Sequence, residues 1–252
     1  AVIGDHPRLS ATVLGKGDQW TLDAITLATT AWQAGGRGDV DLAGGGVTLR
    51  LDGPLDVTQE LMAALELNAG AQGNMTLALG GTMDDPVLSA RIVLSNANFD
   101  GTDLDGLALL ADDVRLNPQL SARIGARVPY GTDGVTVAGN LAADEVFSTF
   151  MLNDLRIAGM GAALQGNLSY GLDNGLARGQ MSGGISDLGA LNEIAGGTLS
   201  GTALIDLVMD GSAAGGQDVA LRLAMAGLAF DDMTVADARM AVDVSDVLNQ
   251  PS

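Results

Sequence analysis

Carboxylates are the side chains numerous enough here to do chemistry. There are 31 Asp and Glu against 12 Lys and Arg, and several come close together: Asp84-Asp85, Asp103 with Asp105, Asp112-Asp113 and Asp231-Asp232. Such pairs can hold calcium or share the acid and base roles of a hydrolase. None has the spacing of a calcium loop, and they stand where strands are expected to end, where Asp favours turns and keeps sheet edges soluble. A nucleophilic triad needs a base titrating near neutrality, and the one histidine, His6, reads as solvated and incidental. Zinc and iron sites need clusters of Cys and His, and the chain has no Cys. Gly159-Met160-Gly161 lacks the third glycine of a dinucleotide fingerprint and reads as a strand junction. Arg37-Gly38-Asp39 matches an adhesion tripeptide but reads as part of a glycine-rich turn. Asn74-Met75-Thr76 and Asn167-Leu168-Ser169 match a glycosylation pattern short enough to recur by chance. The expectation is a non-enzymatic protein with no catalytic residue, cofactor or metal.

The elements that would position these residues follow from composition. Apolar residues make up 47% of the chain but aromatic ones only 3%, beside 36 Gly. Aromatic side chains bury the most area per residue in a thick globule, and a chain rich in Gly and Ala has less burial to set against the entropy of folding. A thin, extended β architecture fits better. The net charge of -19 makes nucleic acid an unsuitable partner and disfavours flat adsorption on anionic headgroups, because both need Lys and Arg. No stretch of about 18 uncharged apolar residues occurs. With no leader at its start, the sequence reads as an internal piece of a longer chain.

Two tandem units are visible, 1–128 and 129–252. Gly73-Asn74-Met75-Thr76-Leu77-Ala78-Leu79 parallels Gly201-Thr202-Ala203-Leu204-Ile205-Asp206-Leu207. Phe99-Asp100 parallels Phe230-Asp231, and Leu22 to Leu27 parallels Leu152 to Ile157. Within each unit, apolar and polar residues alternate with the period of a strand whose two faces differ. Turn clusters such as Gly44-Gly45-Gly46, Gly80-Gly81 and Asp173-Asn174-Gly175 separate the runs. About sixteen short strands in an antiparallel meander follow, spanning about 75 Å at about 4.8 Å per strand. Two segments break the alternation and predict one short helix per unit: 57–66, rich in helix formers, and 188–195.

The remaining feature is the apolar face, which an alternating sheet must cover with a second sheet or a helix layer, or by curling on itself. Few aromatics and few helices favour a curled sheet with an apolar trough. Candidates to line it are Leu77, Leu79, Leu88, Ile92, Leu94, Ile205, Leu207, Leu221, Leu223 and Met225. A closed sandwich or barrel acting as a repeat stalk or adhesin-like surface protein is the alternative.

The run Trp20-Thr21-Leu22-Asp23-Ala24-Ile25-Thr26-Leu27-Ala28-Thr29 to Trp32, then Gly38-Asp39-Val40-Asp41-Leu42, then Gly73 to Leu88, resembles the repetitive middle of the TamB family, the inner-membrane subunit of the translocation and assembly module. Gly201-Thr202-Ala203-Leu204 and Met240-Ala241-Val242-Asp243-Val244 continue the style. The likeness is one of repeats and rhythm, which AsmA-like relatives share. It implies an elongated β-taco with an apolar groove, standing in the periplasm and tethered to the inner membrane by an N-terminal helix outside this fragment. It also implies a role in outer-membrane biogenesis, by conducting phospholipids on their acyl chains, by assisting assembly of outer-membrane proteins such as autotransporters, or both. The expected partners are phospholipid acyl chains, unfolded outer-membrane proteins, and an outer-membrane barrel of the TamA or BamA kind met through a C-terminal region not included here.

Overall fold

The computed structural model describes residues 7–58, 69–99, 102–117, 119–129, 134–192, 196–211, 216–231 and 233–245. It divides into two compact units, Ala1–Pro129 and Tyr130–Ser252. The first contains β1 (Arg8–Lys16), β2 (Gln19–Ala28), β3 (Gln33–Asp41), β4 (Gly46–Val57), β5 (Ala69–Gly81), β6 (Pro86–Phe99), β7 (Thr102–Asp103), β8 (Ala108–Arg115) and β9 (Ser121–Val128). The second contains β10 (Val135–Ala143), β11 (Thr149–Gly159), β12 (Ala162–Gly171), β13 (Ala177–Ile185), β14 (Leu199–Gly211), β15 (Gln217–Phe230) and β16 (Met233–Val244). Each unit is an antiparallel meander in chain order, with β6 pairing both the two-residue β7 and β8. Among the described residues no pairing joins a unit's first strand to its last, so neither meander closes into a barrel.

Turn chemistry explains the connections. Between β11 and β12, Met160 and Gly161 both have positive φ, 52° and 71°, the two-residue hairpin geometry whose twist matches that of the strands. The segment Gly159-Met160-Gly161 is thus a strand junction, as its sequence suggests.

The apolar face is built in rungs that run across the strands. In the first unit, one rung is Leu22–Gly38–Leu49–Leu79–Leu88–Val114 and the next Ile25–Gly36–Leu51–Leu77–Ala90–Ala111–Ile124. Further along, Leu55–Gly73–Leu94 forms a third. In the second unit, Val137–Ile157–Leu164–Gly183–Ile205–Leu223–Met240 and Leu155–Gly166–Met181–Leu207–Leu221–Val242 repeat the design. In each rung a glycine stands between two larger apolar residues. Strands lie about 4.8 Å apart, so the flanking side chains can lean across the bare glycine and touch. Ile25 and Leu51 flank Gly36, Leu55 and Leu94 flank Gly73, and all four belong to one buried cluster with Trp32, Ala34 and Ala97.

A bulge recurs at the same place in both units. Register shifts between Leu22 and Ile25 in β2 and between Leu152 and Leu155 in β11, where Ala24 (φ 49°) and Asp154 (φ 51°) take left-handed backbone. The extra residue puts Leu22 with Ile25, and Leu152 with Leu155, on one face despite a spacing of three. Ile25 and Leu155 are each only 4% exposed. Left-handed backbone at an alanine costs about 1 kcal/mol or more, which the burial of Ile25 offsets.

The expectation of one short helix per unit is corrected in the second unit, and in the first it falls almost wholly outside the described residues. Val57 closes strand β4, and 59–68 lie outside the described residues. Leu188–Leu191 form a single 3-10 turn, with the Asp187 carboxylate accepting from Gly189 N at 2.8 Å. Gly189 at its centre is a poor helix former, and 193–195 lie outside the described residues. No α-helical element occurs among the described residues. Arg37-Gly38-Asp39 is not a turn either: it lies inside β3, where Asp39 accepts a hydrogen bond from Thr21 Oγ1 at 3.0 Å. Asp112-Asp113 likewise lie within β8 and not at its end, Asp113 at a second left-handed position (φ 52°). His6 lies outside the described residues.

The rungs make a stability prediction. A Cβ at Gly36 would stand 1.9 Å from the Arg50 carbonyl oxygen, and one at Gly166 would stand 2.0 Å from that of Gln180, whereas one at Gly80 meets nothing within 4 Å. Gly36→Ala and Gly166→Ala should each destabilise by about 1–3 kcal/mol through overpacking. Gly80→Ala should stay within about 0.5 kcal/mol of the parent. Urea midpoints of the three variants, compared with the parent, check this.

Candidate functional site

All ten candidate lining residues lie on the apolar face of their own unit. Leu79 pairs with Leu88, Leu77 with Ala90, Ile92 with Met75, and Leu94 with Gly73. Ile205 pairs with Leu223, Leu207 with Leu221, and Met225 with Ala203. Leu94 is buried, at 8% exposure, and the other nine are half-buried. Leu77 and Ile92 pack against the cluster that holds Leu94. Leu79 and Leu88 form the neighbouring rung, nearer the β3–β4 and β5–β6 hairpins.

The same face includes residues that simple alternation did not single out. Leu22, Ile25 and Leu155 belong to it only because of the bulges, which break the period of two. Trp32 lies between β2 and β3, and no strand pattern reaches it. The spacing of three in both Leu22–Ile25 and Leu152–Leu155, repeated 130 residues apart by the numbering (152 − 22), was the available signal. Trp32 is held firmly: its backbone N donates to Thr29 Oγ1 at 2.9 Å, and its indole Nε1 donates to the Gly53 carbonyl at 3.2 Å.

The opposite face is polar. In the second unit Arg156, Gln165, Ser182, Asp206 and Arg222 form one rung, and in the first Asp52, Thr76 and Arg91 form another. The pairs Arg178–Asp210 (3.6 Å), Arg222–Asp243 (2.7 Å), Arg115–Asp85 and Arg123–Asp113 are all exposed, so each adds at most about 1 kcal/mol. Two depressions have polar or mixed linings. One of about 560 Å³ is bordered by Asp56, Gln72, Asn96, Asp103 and Asp105, and one of about 490 Å³ by Arg50, Thr76, Arg91 and Asp112 together with Val93 and Leu110. The carboxylates of the first are engaged structurally, with Asp105 accepting from Ala97 N and Asp103 from Asn98 Nδ2, both at 3.0 Å. Among the described residues no group of three or more His, Cys, Asp or Glu is placed to hold a metal.

Two half-buried carboxylates at turns, Asp41 and Asp144, are held below their ordinary pKa. The Gly44 backbone N–H is the largest cause at Asp41, and the Ser148 hydroxyl at Asp144, with slight desolvation opposing both. Asp144 also accepts from Ser148 N at 2.7 Å, fixing the turn that holds Phe147 at φ 55°.

These features define a class: a two-unit antiparallel β-meander protein whose strands carry one apolar and one polar face. In comparison with family models, curated proteins and solved structures, the chain matches none.

A depressed folded pKa contributes stability that is complete above the unfolded value, ordinarily 3.8, and is lost as pH falls through the lower folded value. Asp144→Asn should therefore be less stable than the parent at neutral pH, and the gap should narrow as pH drops below about 4. Urea unfolding of both proteins between neutral and acid pH measures that gap.

Proposed function

We propose that the chain is a non-enzymatic lipid-handling segment that seats phospholipid acyl chains on its apolar face, in the manner of the TamB-like envelope proteins its sequence resembles. The observation that carries this reading is the series of apolar rungs, half-buried at Leu79, Leu88, Ile205, Leu207, Leu221 and Leu223 and backed by the face that carries the charged residues. A trough is supported by the 4% exposure of Ile25 and Leu51, which a flat single sheet open on that side would not produce. Each methylene removed from water there stabilises the bound state by about 0.8 kcal/mol. The attraction is non-directional, so a chain can pass from rung to rung without a deep well, and no bond is made or broken. The acidic surface keeps such a protein soluble and off anionic headgroups. On this reading the segment works in the periplasm as part of a longer protein tethered to the inner membrane, and passes its cargo towards an outer-membrane barrel.

A second reading, strand addition to an unfolded outer-membrane protein, has one observation in its favour. Strand β1, the outermost of its unit's meander among the described residues, is exposed along its whole length, and an exposed strand edge offers backbone partners to an extended segment.

Phospholipid extracted from the protein after purification from bacterial membranes in mild detergent, and counted by mass spectrometry, separates these readings. The parent should carry stoichiometric phospholipid, and Leu79→Asp or Leu207→Asp should reduce it at least fivefold while keeping the circular dichroism of a β protein. Lipid-free parent protein rejects the acyl reading. Unfolding of both variants would mean that the face is a sealed core.

A further inference from the structure

In the second unit the outermost strand among the described residues is β16. It pairs with β15 as β8 pairs with β6 in the first unit, Met240 standing opposite Leu223 and Ala111 opposite Ala90. The far edge of β8 is taken by β9, which lies antiparallel to it and is joined to it by the Arg123–Asp113 ion pair. The far edge of β16 carries no such strand among the described residues. Ten of its twelve residues are exposed, Met240 and Val242 among them, and an open edge presents N–H and C=O groups ready to pair with another strand. Its two central charges are also unmatched. Asp237 stands opposite Ala226 and Arg239 opposite Ala224, and neither makes an ion pair or a side-chain hydrogen bond among the described residues, whereas Asp243 on the same strand is paired with Arg222.

We propose that β16 pairs antiparallel with β16 of a second copy of this chain, making a two-fold dimer through this edge. A two-fold contact requires the strand to be complementary to its own reverse. With Ala238 on the axis, Asp237 of each copy stands opposite Arg239 of the other, giving two cross-strand ion pairs, while Ala236 stands opposite Met240 and Thr234 opposite Val242. Sliding the pairing by one residue sets the apolar face of one copy against the polar face of the other. Sliding it by two sets Asp237 opposite Asp237 or Arg239 opposite Arg239, and like charges directly opposite are destabilising. The two charges thus select one register, and they favour a second copy over a generic extended segment, which has no fixed complement to them. Strand β1 offers no equivalent, since pairing about its central Thr12 would set Arg8 opposite Lys16. The net charge of -19 on each copy opposes association, so the edge hydrogen bonds and the two ion pairs have to outweigh that repulsion. The proposal is independent of the acyl-binding reading.

The test is sedimentation equilibrium of the full chain in detergent-free buffer, for the parent, Asp237→Arg, Arg239→Asp and the double exchange Asp237→Arg/Arg239→Asp. The parent should form a concentration-dependent dimer and nothing larger, because a two-fold contact uses up the edge. Each single reversal should weaken the dimer at least about tenfold, since both cross-strand pairs turn from attraction to repulsion. The double exchange should restore it to within about threefold, since each pair again joins opposite signs. A parent that stays monomeric or grows beyond a dimer, single reversals that change nothing, or a double exchange that fails to rescue overturns the proposal. A second arm reads the register directly and keeps both charges. The chain has no cysteine of its own, and residues opposite one another in antiparallel strands have Cα atoms about 4.5–5.5 Å apart, a span that a disulfide bridges. Ala238→Cys should therefore cross-link to a dimer under mild oxidation. Ala236→Cys and Met240→Cys should each stay uncrosslinked alone and cross-link when mixed. Equal cross-linking at all three positions, or none at Ala238→Cys, also overturns the proposal, and this arm decides if a charge reversal does not fold.

Discussion

Among the described residues no second sheet or α-helix packs on the apolar side, so each unit buries that side largely with side chains of its own strands and connections, and this constraint governs both units. The rungs meet it by alternating bulk with absence. Where Gly36, Gly73, Gly166 or Gly183 occupies the middle strand, the leucine, isoleucine or methionine on either side has room to lean across, and the first unit's cluster forms from just such neighbours. The glycines that would look like weakness in an ordinary strand are thus the places where the sheet packs most closely. A Cβ at each would meet a backbone carbonyl oxygen first, at about 2 Å.

The bulges serve the same end. A strict alternation puts every second residue on one face, so a spacing of three would throw Ile25 or Leu155 to the polar side. The extra residue at Ala24 and at Asp154 absorbs that shift, at the expense of left-handed backbone. In the second unit the strain is lighter, because Asp tolerates this region better than Ala. Asp154 is also fixed there, its carboxylate accepting from Asn140 Nδ2 at 3.0 Å and its backbone N donating to Asn167 Oδ1 at 2.9 Å.

The charged residues are concentrated on one face, where exposed Leu110, Leu204 and Val208 also lie. The ion pairs are exposed and individually weak, and the turn carboxylates Asp41 and Asp144 spend their hydrogen-bonding capacity on nearby turn and strand groups. A charge on the apolar face would have to be desolvated. Large apolar groups are nonetheless exposed, among them Leu204, on the face of Asp206, and Met233.

The residue pattern by itself determined the strand content, the glycine-rich turns, the pairing of sequence neighbours and the face to which Leu77 through Leu94 and Ile205 through Met225 belong. A period of two and the positive-φ needs of tight turns are local properties, so they are written locally. Helix-forming composition misled at Leu188–Leu191, where one capped 3-10 turn forms. Tertiary structure alone decided three further matters: that Ile25 and Leu155 join the apolar face through bulges, that a glycine stands between bulky partners in successive rungs, and that Trp32 joins the buried cluster from the connection between β2 and β3. Each depends on which residues lie opposite one another in other strands, and register across strands is not a property that any single stretch of sequence contains.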